Sequence, residues 1–246
     1  MAQATPARLG VGRAGTRYTT AALLQFRADQ ARAVDAVQSE LPADWAQRHG
    51  MVEVKSRAST RDEYLRLPEM GRMLDASDAA RLRRLIPRAR SGVAQPTILI
   101  CVGDGLSCAA VERHAPALVK RVSAQLISRY RLLPPLFVRN ARVRIQDHIG
   151  EILRPDAVVM IIGERPGLAT AESLSAYIIW RPRLSSQEPD RTVISNIHPG
   201  GIRVASAAAK IAEVIEKAVL YRVSGAELAV KLAAESPRLA TRRRKQ

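Results

Sequence analysis

A chain of 246 residues, 47% hydrophobic but only 4% aromatic, can bury one large or two modest cores of Ala, Val, Leu and Ile, and it reads as globular rather than disordered. Its longest aliphatic run falls far short of the ~20 residues that span a bilayer. Its first fifteen residues lack the apolar stretch of a secretory signal, and Cys101 and Cys108 are too few for a disulfide framework or a zinc site. The expectation is a cytoplasmic protein with reduced structural thiols, no membrane and no metal. A net charge of +16 raises nucleic acid as a partner, but the basic residues are mostly arginines spread along the whole chain. Two Phe, two Trp and five Tyr cannot furnish a base-stacking platform, whereas arginine suits ion pairing with an acidic protein partner.

Near the N-terminus Gly10, Gly12 and Gly15 spell GVGRAG, a formal dinucleotide fingerprint. The fingerprint works by joining a buried strand to a helix that faces pyrophosphate, and no strand precedes this one. Thr20 to Gln38 has apolar residues at helical spacing, with Thr20 as the expected cap. Residues 39 to 60 read as loop around Pro42. Arg61 to Leu85 reads as helix broken by Pro68 and Gly71 and restarted at the capping residues Ser77 or Asp78. Arg81, Arg83, Arg84, Arg88 and Arg90 form one basic cluster and Arg242 to Lys245 another, each expected as a solvated face or end. Pro87, Gly92 and Pro96 mark a linker, so the predicted division is an N-terminal arm and smaller helical domain over 1–95 and an α/β domain over 96–246.

Thr97 to Val102 is a continuous apolar run, as a strand buried on both faces should be, and Gly103-Asp104-Gly105 turns sharply from it. That turn is expected as structural rather than as a phosphate cradle, because it is neither a full fingerprint nor a P-loop. A helix follows from Leu106 or Ser107 to about Arg131, then a short strand over Leu136 to Val138, so a β-α-β unit opens here. Val143 to Leu153 again has helical spacing. Ala157 to Gly163 is the second continuous apolar run and the predicted central strand, while Ala176–Trp180 and Thr192–Ile197 read as two more strands that make a hairpin, and hence a mixed sheet, a possible outcome. Ile202 to Tyr221 is a clear amphipathic helix, stopped by Ser224-Gly225.

The chemistry points to the end of the central strand. Pro166 biases Arg165 away from helix and Gly167 permits a tight turn, so Glu164 is held at a strand's carboxyl edge, where open α/β sheets bind ligands. An ionised carboxylate only accepts hydrogen bonds, which suits a ligand with amide or hydroxyl hydrogens. Elsewhere there is no G-x-S-x-G elbow, and His49, His114, His148 and His198 lack partners at ligand spacing. No catalytic constellation is evident.

The strings GERPGL, ESLSAY and RTVISNIH, in that order, with VGDGLS upstream and further matches in 8–37 and 61–73, resemble the small subunit of ethanolamine ammonia-lyase over most of the chain. That resemblance implies a Rossmann-like, mostly parallel sheet domain after the helical N-terminal one, and GVGRAG within an N-terminal arm. It implies a large-subunit partner whose barrel holds ethanolamine, with adenosylcobalamin between the two chains, cobalt–carbon homolysis, and acetaldehyde and ammonia as products. Its cofactor contacts carry over to Val143, Glu164 and Val193, with no catalytic residue on this chain, and to a cytoplasmic setting, free or inside a bacterial microcompartment. Val143 and Val193 can offer only backbone and apolar surface, where some relatives have Cys at the latter position. Gln30 stands where the family commonly has His, and Ala169 where Gly or Ser is frequent. Asp147-His148-Ile149-Gly150 lacks the spacing of the motif that puts a protein His on cobalt, so the cofactor's own base is expected to stay there. The alternatives are a basic nucleic-acid-binding or scaffolding protein, resting on charge, and a stand-alone Rossmann-like nucleotide-binding enzyme, resting on GVGRAG.

Overall fold

The computed structural model describes residues 11–85, 95–167 and 170–243, with side chains as far as residue 235. Two short strands, β1 (Arg13–Ala14) and β2 (Arg17–Tyr18), pair antiparallel about Gly15, so the described part of GVGRAG is a hairpin turn and not a strand-to-helix loop. Helix α1 (Thr20–Gln38) follows, and its cap is Thr19, whose hydroxyl accepts from the Ala22 amide at 3.3 Å, one residue earlier than predicted. Only Asp29 and Ala36 of α1 are buried.

The stretch 39–60, expected as loop, holds α2 (Trp45–Arg48) and β3 (Val52–Lys55). The reason is packing: Trp45, Met51 and Val54 are buried, and Trp45 stacks at a tilt on Phe137 5.0 Å away. Then come α3 (Arg61–Arg66), a 3-10 turn at Met70–Arg72 and α4 (Ala76–Leu85). Asp75, not Ser77 or Asp78, caps α4, accepting from the Ser77 and Asp78 amides at 2.9 and 3.3 Å. Side chains of α4 turn back onto β3, where Asp78 accepts from the Lys55 amide at 2.8 Å and Arg81 donates to the Glu53 carbonyl.

The predicted βαβ unit is present as β4 (Thr97–Gly103), α5 (Cys108–Leu126) and β6 (Leu136–Arg139), with a two-residue strand, β5 (Arg131–Leu132), between the last two. Ser107 caps α5 by accepting from the Ala110 amide at 3.1 Å, and Pro116 sits inside the helix without ending it. Helix α6 (Ile145–Leu153) leads to β7 (Ala157–Gly163), and then β8 (Leu174–Trp180), β9 (Arg191–Ile197), α7 (Val204–Tyr221) and α8 (Gly225–Arg243) complete the chain.

Strands β3 to β9 form one seven-stranded sheet in the order β3-β6-β4-β7-β8-β9, with β5 beside β4. β3, β6, β4 and β7 are parallel, while β8 and β9 return antiparallel as a hairpin, so the sheet is mixed. The segment before residue 95 thus supplies a strand to this sheet as well as helices. Every residue of β4 and β7 is buried, because alternate side chains enter two different cores. Ile98, Ile100, Val102, Val159 and Ile161 join α5 and α7 on one face, and Leu99, Cys101, Val158, Met160 and Ile162 join α6 on the other. Each such aliphatic side chain contributes about 1.5–3 kcal/mol by leaving water, which is why these two strands read so plainly in the sequence. The architecture is α/β, a mostly parallel sheet covered by helices on both faces.

Candidate functional site

The chain leaves β4 toward β6 on one side and β7 toward β8 on the other, so the carboxyl ends of β4 and β7 are where a crevice is expected. Between them there is none. The Leu106 amide donates to the Gly163 carbonyl at 2.9 Å. A Cβ at Gly105 would lie 2.2 Å from that carbonyl oxygen, and one at Gly163 would lie 2.3 Å from the Ser107 carbonyl oxygen. The backbone itself fills the gap, and Gly105 holds the positive φ of +59° that the turn requires.

Asp104 completes this closure. Its carboxylate accepts from the amides of Gly105, Asn140 and Ala141 at 2.8, 2.7 and 2.9 Å, and the Arg61 guanidinium stands 3.8 Å away. Burial pushes its carboxyl above the usual range, opposed by the three amides and Arg61. The GDG turn is therefore an internal clamp that ties β4 to the loop before α6. Tyr64 adds to it, donating its hydroxyl to the Ala141 carbonyl at 3.0 Å.

Glu164 lies one residue beyond Gly163 and escapes this packing. Its backbone amide donates to the Ser173 carbonyl at 2.9 Å, which extends the β7–β8 pairing upward, and the Gly167 amide donates to the Thr170 carbonyl at 2.9 Å. The returning loop is held to α5 by Ser107, which donates to the Ala171 carbonyl at 2.5 Å, and by an Arg113–Glu172 ion pair at 2.6 Å. Gly167 does not adopt the left-handed φ that its turn position suggested. Ala169 lies outside the described residues.

The Glu164 side chain is half-buried and accepts a 3.3 Å hydrogen bond on Oε1 from the Tyr177 hydroxyl. Burial, then the Glu164 charge and this hydrogen bond, push the Tyr177 phenol up to about 12, so it keeps its proton and donates. Tyr177 stands in β8 directly opposite Met160 of β7 and Val193 of β9. Val193, 47% exposed, and half-buried Tyr177 therefore lie side by side on the α6 face of the sheet. Val143, in the loop entering α6, packs with Tyr177 against the buried residues of that same face. The three residues singled out in the sequence thus fall on one face: Glu164 joins Val193 through Tyr177, and Val143 shares their underlying core.

Two contributors escaped sequence reading. Tyr177 is the lone phenol in the otherwise apolar run AYIIW, and period-two spacing would have put it on the face opposite Ile178. Ser175, two residues before it on the same face, is fully buried and its hydroxyl has no hydrogen-bond partner. Such an orphan is costly in a core.

Other polar side chains singled out in the sequence are engaged in the fold. His148 accepts from the Leu74 amide at 3.0 Å through Nδ1, and Asp147 pairs with buried Arg191, so the Asp147–His148 string serves packing. Arg81 is engaged with Asp78 and Glu53, whereas Arg88, Arg90, Arg244 and Lys245 lie outside the described residues. Gln30 is exposed on α1. Among the described residues no group of His, Cys, Asp and Glu could hold a metal ion, and no helix is long and apolar enough to cross a membrane. Hollows of about 390 Å³ beside β3 and about 360 Å³ between the β1–β2 hairpin and α1 do not include Glu164. The face around Glu164 offers its carboxylate beside apolar side chains, with Glu188 close enough to act on Tyr177, and among the described residues no nucleophile and base are in mutual reach. It can bind and orient a ligand.

The chain matches the family model described as ethanolamine ammonia-lyase light chain (EutC) over residues 1–229. The ethanolamine ammonia-lyase small subunit of Lachnoclostridium phytofermentans is 41% identical over 230 residues, covering 93% of this chain and 75% of that protein. The small subunit of Clostridioides difficile is 42% identical over 228 residues, covering 91% and 75%, and that of Fusobacterium nucleatum 41% over 228, covering 91% and 74%. A match of this extent settles the grouping: the chain belongs to the ethanolamine ammonia-lyase small-subunit family and is part of a lyase.

Proposed function

We propose that this chain is the small subunit of an adenosylcobalamin-dependent ethanolamine ammonia-lyase and forms one wall of the cobalamin site, while the large subunit holds ethanolamine and completes the other wall. Family membership supports the lyase and the partner. The observation that carries the wall is Glu164, whose side-chain hydrogen-bond partner among the described residues is Tyr177 and which stands on the same sheet face as exposed Val193.

The residues present fit such a cofactor. Corrin carries amide side chains that donate hydrogen bonds, and a carboxylate is the acceptor that matches them. The macrocycle is broad and largely apolar, and Val143 and Val193 supply a matching surface. The orphan Ser175 hydroxyl is a further polar atom next to that surface. Glu164 would hold the group through an amide hydrogen, and Val143 and Val193 would exclude water from its edge. When bound, adenosylcobalamin supplies the cobalt–carbon bond whose homolysis opens the radical route from ethanolamine to acetaldehyde and ammonia. The cofactor carries the difficult chemistry and this chain supplies orientation, a division that suits a site with no acid–base pair.

To this reading belong the Rossmann-like character of residues 96–246 as the cobalamin-contacting unit, residues 1–95 as an arm and helices that add strand β3 to the same sheet, and work in the cytoplasm, free or within a microcompartment. The test is co-expression with the large subunit, followed by assay of acetaldehyde from ethanolamine with and without adenosylcobalamin. Turnover should need both chains and the cofactor, and Glu164→Ala should raise the apparent cofactor constant. Turnover by the large subunit alone, or a mutant with an unchanged constant, would defeat the proposal.

A further inference from the structure

Glu164 has its backbone fixed by the Ser173 carbonyl, but nothing in the backbone sets its three side-chain torsions. Arg165, the neighbouring cation, does not pair with it; among the described residues the Tyr177 hydroxyl is its hydrogen-bond partner. A free glutamate side chain samples many rotamers, and a ligand that needs one of them must first overcome that entropy. A single donor that fixes one oxygen removes most of the freedom and leaves the second oxygen presented in a defined direction.

Tyr177 is placed to be that donor and little else. It lies in the interior of a strand, paired on both sides, with Met160 across one gap and Val193 across the other. Its backbone is therefore held by the sheet on both sides. The phenol points along the strand toward Glu164, past the position of Ser175, which is fully buried. A phenylalanine would fill the same apolar space, so packing alone does not call for the hydroxyl.

We propose that Tyr177 is the positioning residue for Glu164: its phenol holds one carboxylate oxygen from within the sheet, so that the other oxygen meets an amide or hydroxyl donor of the bound ligand. This rests on the cobalamin-wall reading above, and the experiment separates the two.

The assembled two-chain enzyme is titrated with cyanocobalamin in equilibrium dialysis, and the apparent adenosylcobalamin constant and kcat are measured in parallel. Tyr177→Phe should weaken cyanocobalamin binding and raise the coenzyme constant about three- to tenfold, the range of one net hydrogen bond, with kcat unchanged at saturation. Combined with Glu164→Ala it should add nothing to that variant, since Tyr177 acts only through the carboxylate. Glu164→Asp, which keeps the charge but shortens the reach to the phenol, should reproduce the loss, and it serves as the second variant if Tyr177→Phe lowers the unfolding midpoint of the complex. Binding within twofold of wild type for both Tyr177→Phe and Glu164→Asp, beside a weakened Glu164→Ala, would overturn the positioning role and leave the site intact. Additive losses would also overturn it, by making Tyr177 a direct ligand contact. If Glu164→Ala itself binds as wild type, the underlying site is wrong and the inference falls with it.

Discussion

Asp104 and Glu164 begin alike and end differently. Each is the first residue after the glycine that closes one of two adjacent parallel strands, and Gly103 pairs with Ile162, so the two lie within about one step of register. Asp104 is 4% exposed, with three backbone amides and Arg61 around its carboxylate. Glu164 is half-buried, with the Tyr177 phenol as its side-chain partner among the described residues. Strand-end topology brings both to the edge where α/β sheets bind ligands, but the protein's own donors surround Asp104 and leave acceptor capacity on Glu164.

The largest test of that contrast is Asp104→Ala. It strands three buried amides and a buried guanidinium, and should cost about 3–5 kcal/mol in chemical or thermal unfolding. A loss under about 1 kcal/mol would mean that the clamp is not structural. Glu164→Ala, by contrast, should leave the unfolding free energy within about 0.5 kcal/mol, the range of ordinary surface changes, because it removes one exposed-side hydrogen bond.

Titration sharpens the same division from the closed side. Burial, then Arg57 and Arg83, hold His148 below the ordinary imidazole range, and burial and Arg113 do so for His114. Below pH ~6.5 the unfolded chain takes up protons that these folded imidazoles refuse. Stability that is full above that pH should therefore decline as pH falls through the folded pKa values. His148→Gln should make the decline shallower, leaving the share of His114; an unchanged slope would show that His148 takes up its proton as readily in the fold as in the unfolded chain.

The smallest effect expected is a gain. Ser175→Ala removes a buried hydroxyl that has no partner, and should stabilise the chain by up to about 1 kcal/mol while Glu164→Ala does not. A loss instead would show that the hydroxyl is satisfied when the chain is alone.

Much of this was legible beforehand because burial on two faces leaves an unambiguous record. The runs Thr97–Val102 and Ala157–Gly163 became β4 and β7 within a residue. Residues 39–60 were missed since β3 is four residues long and only Val54 of it is buried, too little to outweigh Pro42 and the polar neighbours. The caps shifted by one to three residues, to Thr19 and Asp75, since Thr, Ser and Asp are crowded at both helix starts. At the site Glu164 was readable from strand, proline and glycine. Its link to Val193 was not, as it runs through Tyr177 and needs the β8–β9 register, which a bulge near Leu174 and Ala176 resets.

The contacts that α4 makes with β3 have a consequence for assembly. β3 is the outermost strand on its side of the sheet, and such a strand ordinarily offers free amides and carbonyls to any passing chain. Here Asp78 occupies the Lys55 amide, Arg81 the Glu53 carbonyl, and the Asp75 amide the Lys55 carbonyl. The sheet cannot be lengthened by another strand at that rim without first unseating a helix. At that rim the commonest accidental route of association, strand added to strand, is closed to another copy of the chain, and an encounter there meets side chains rather than free backbone.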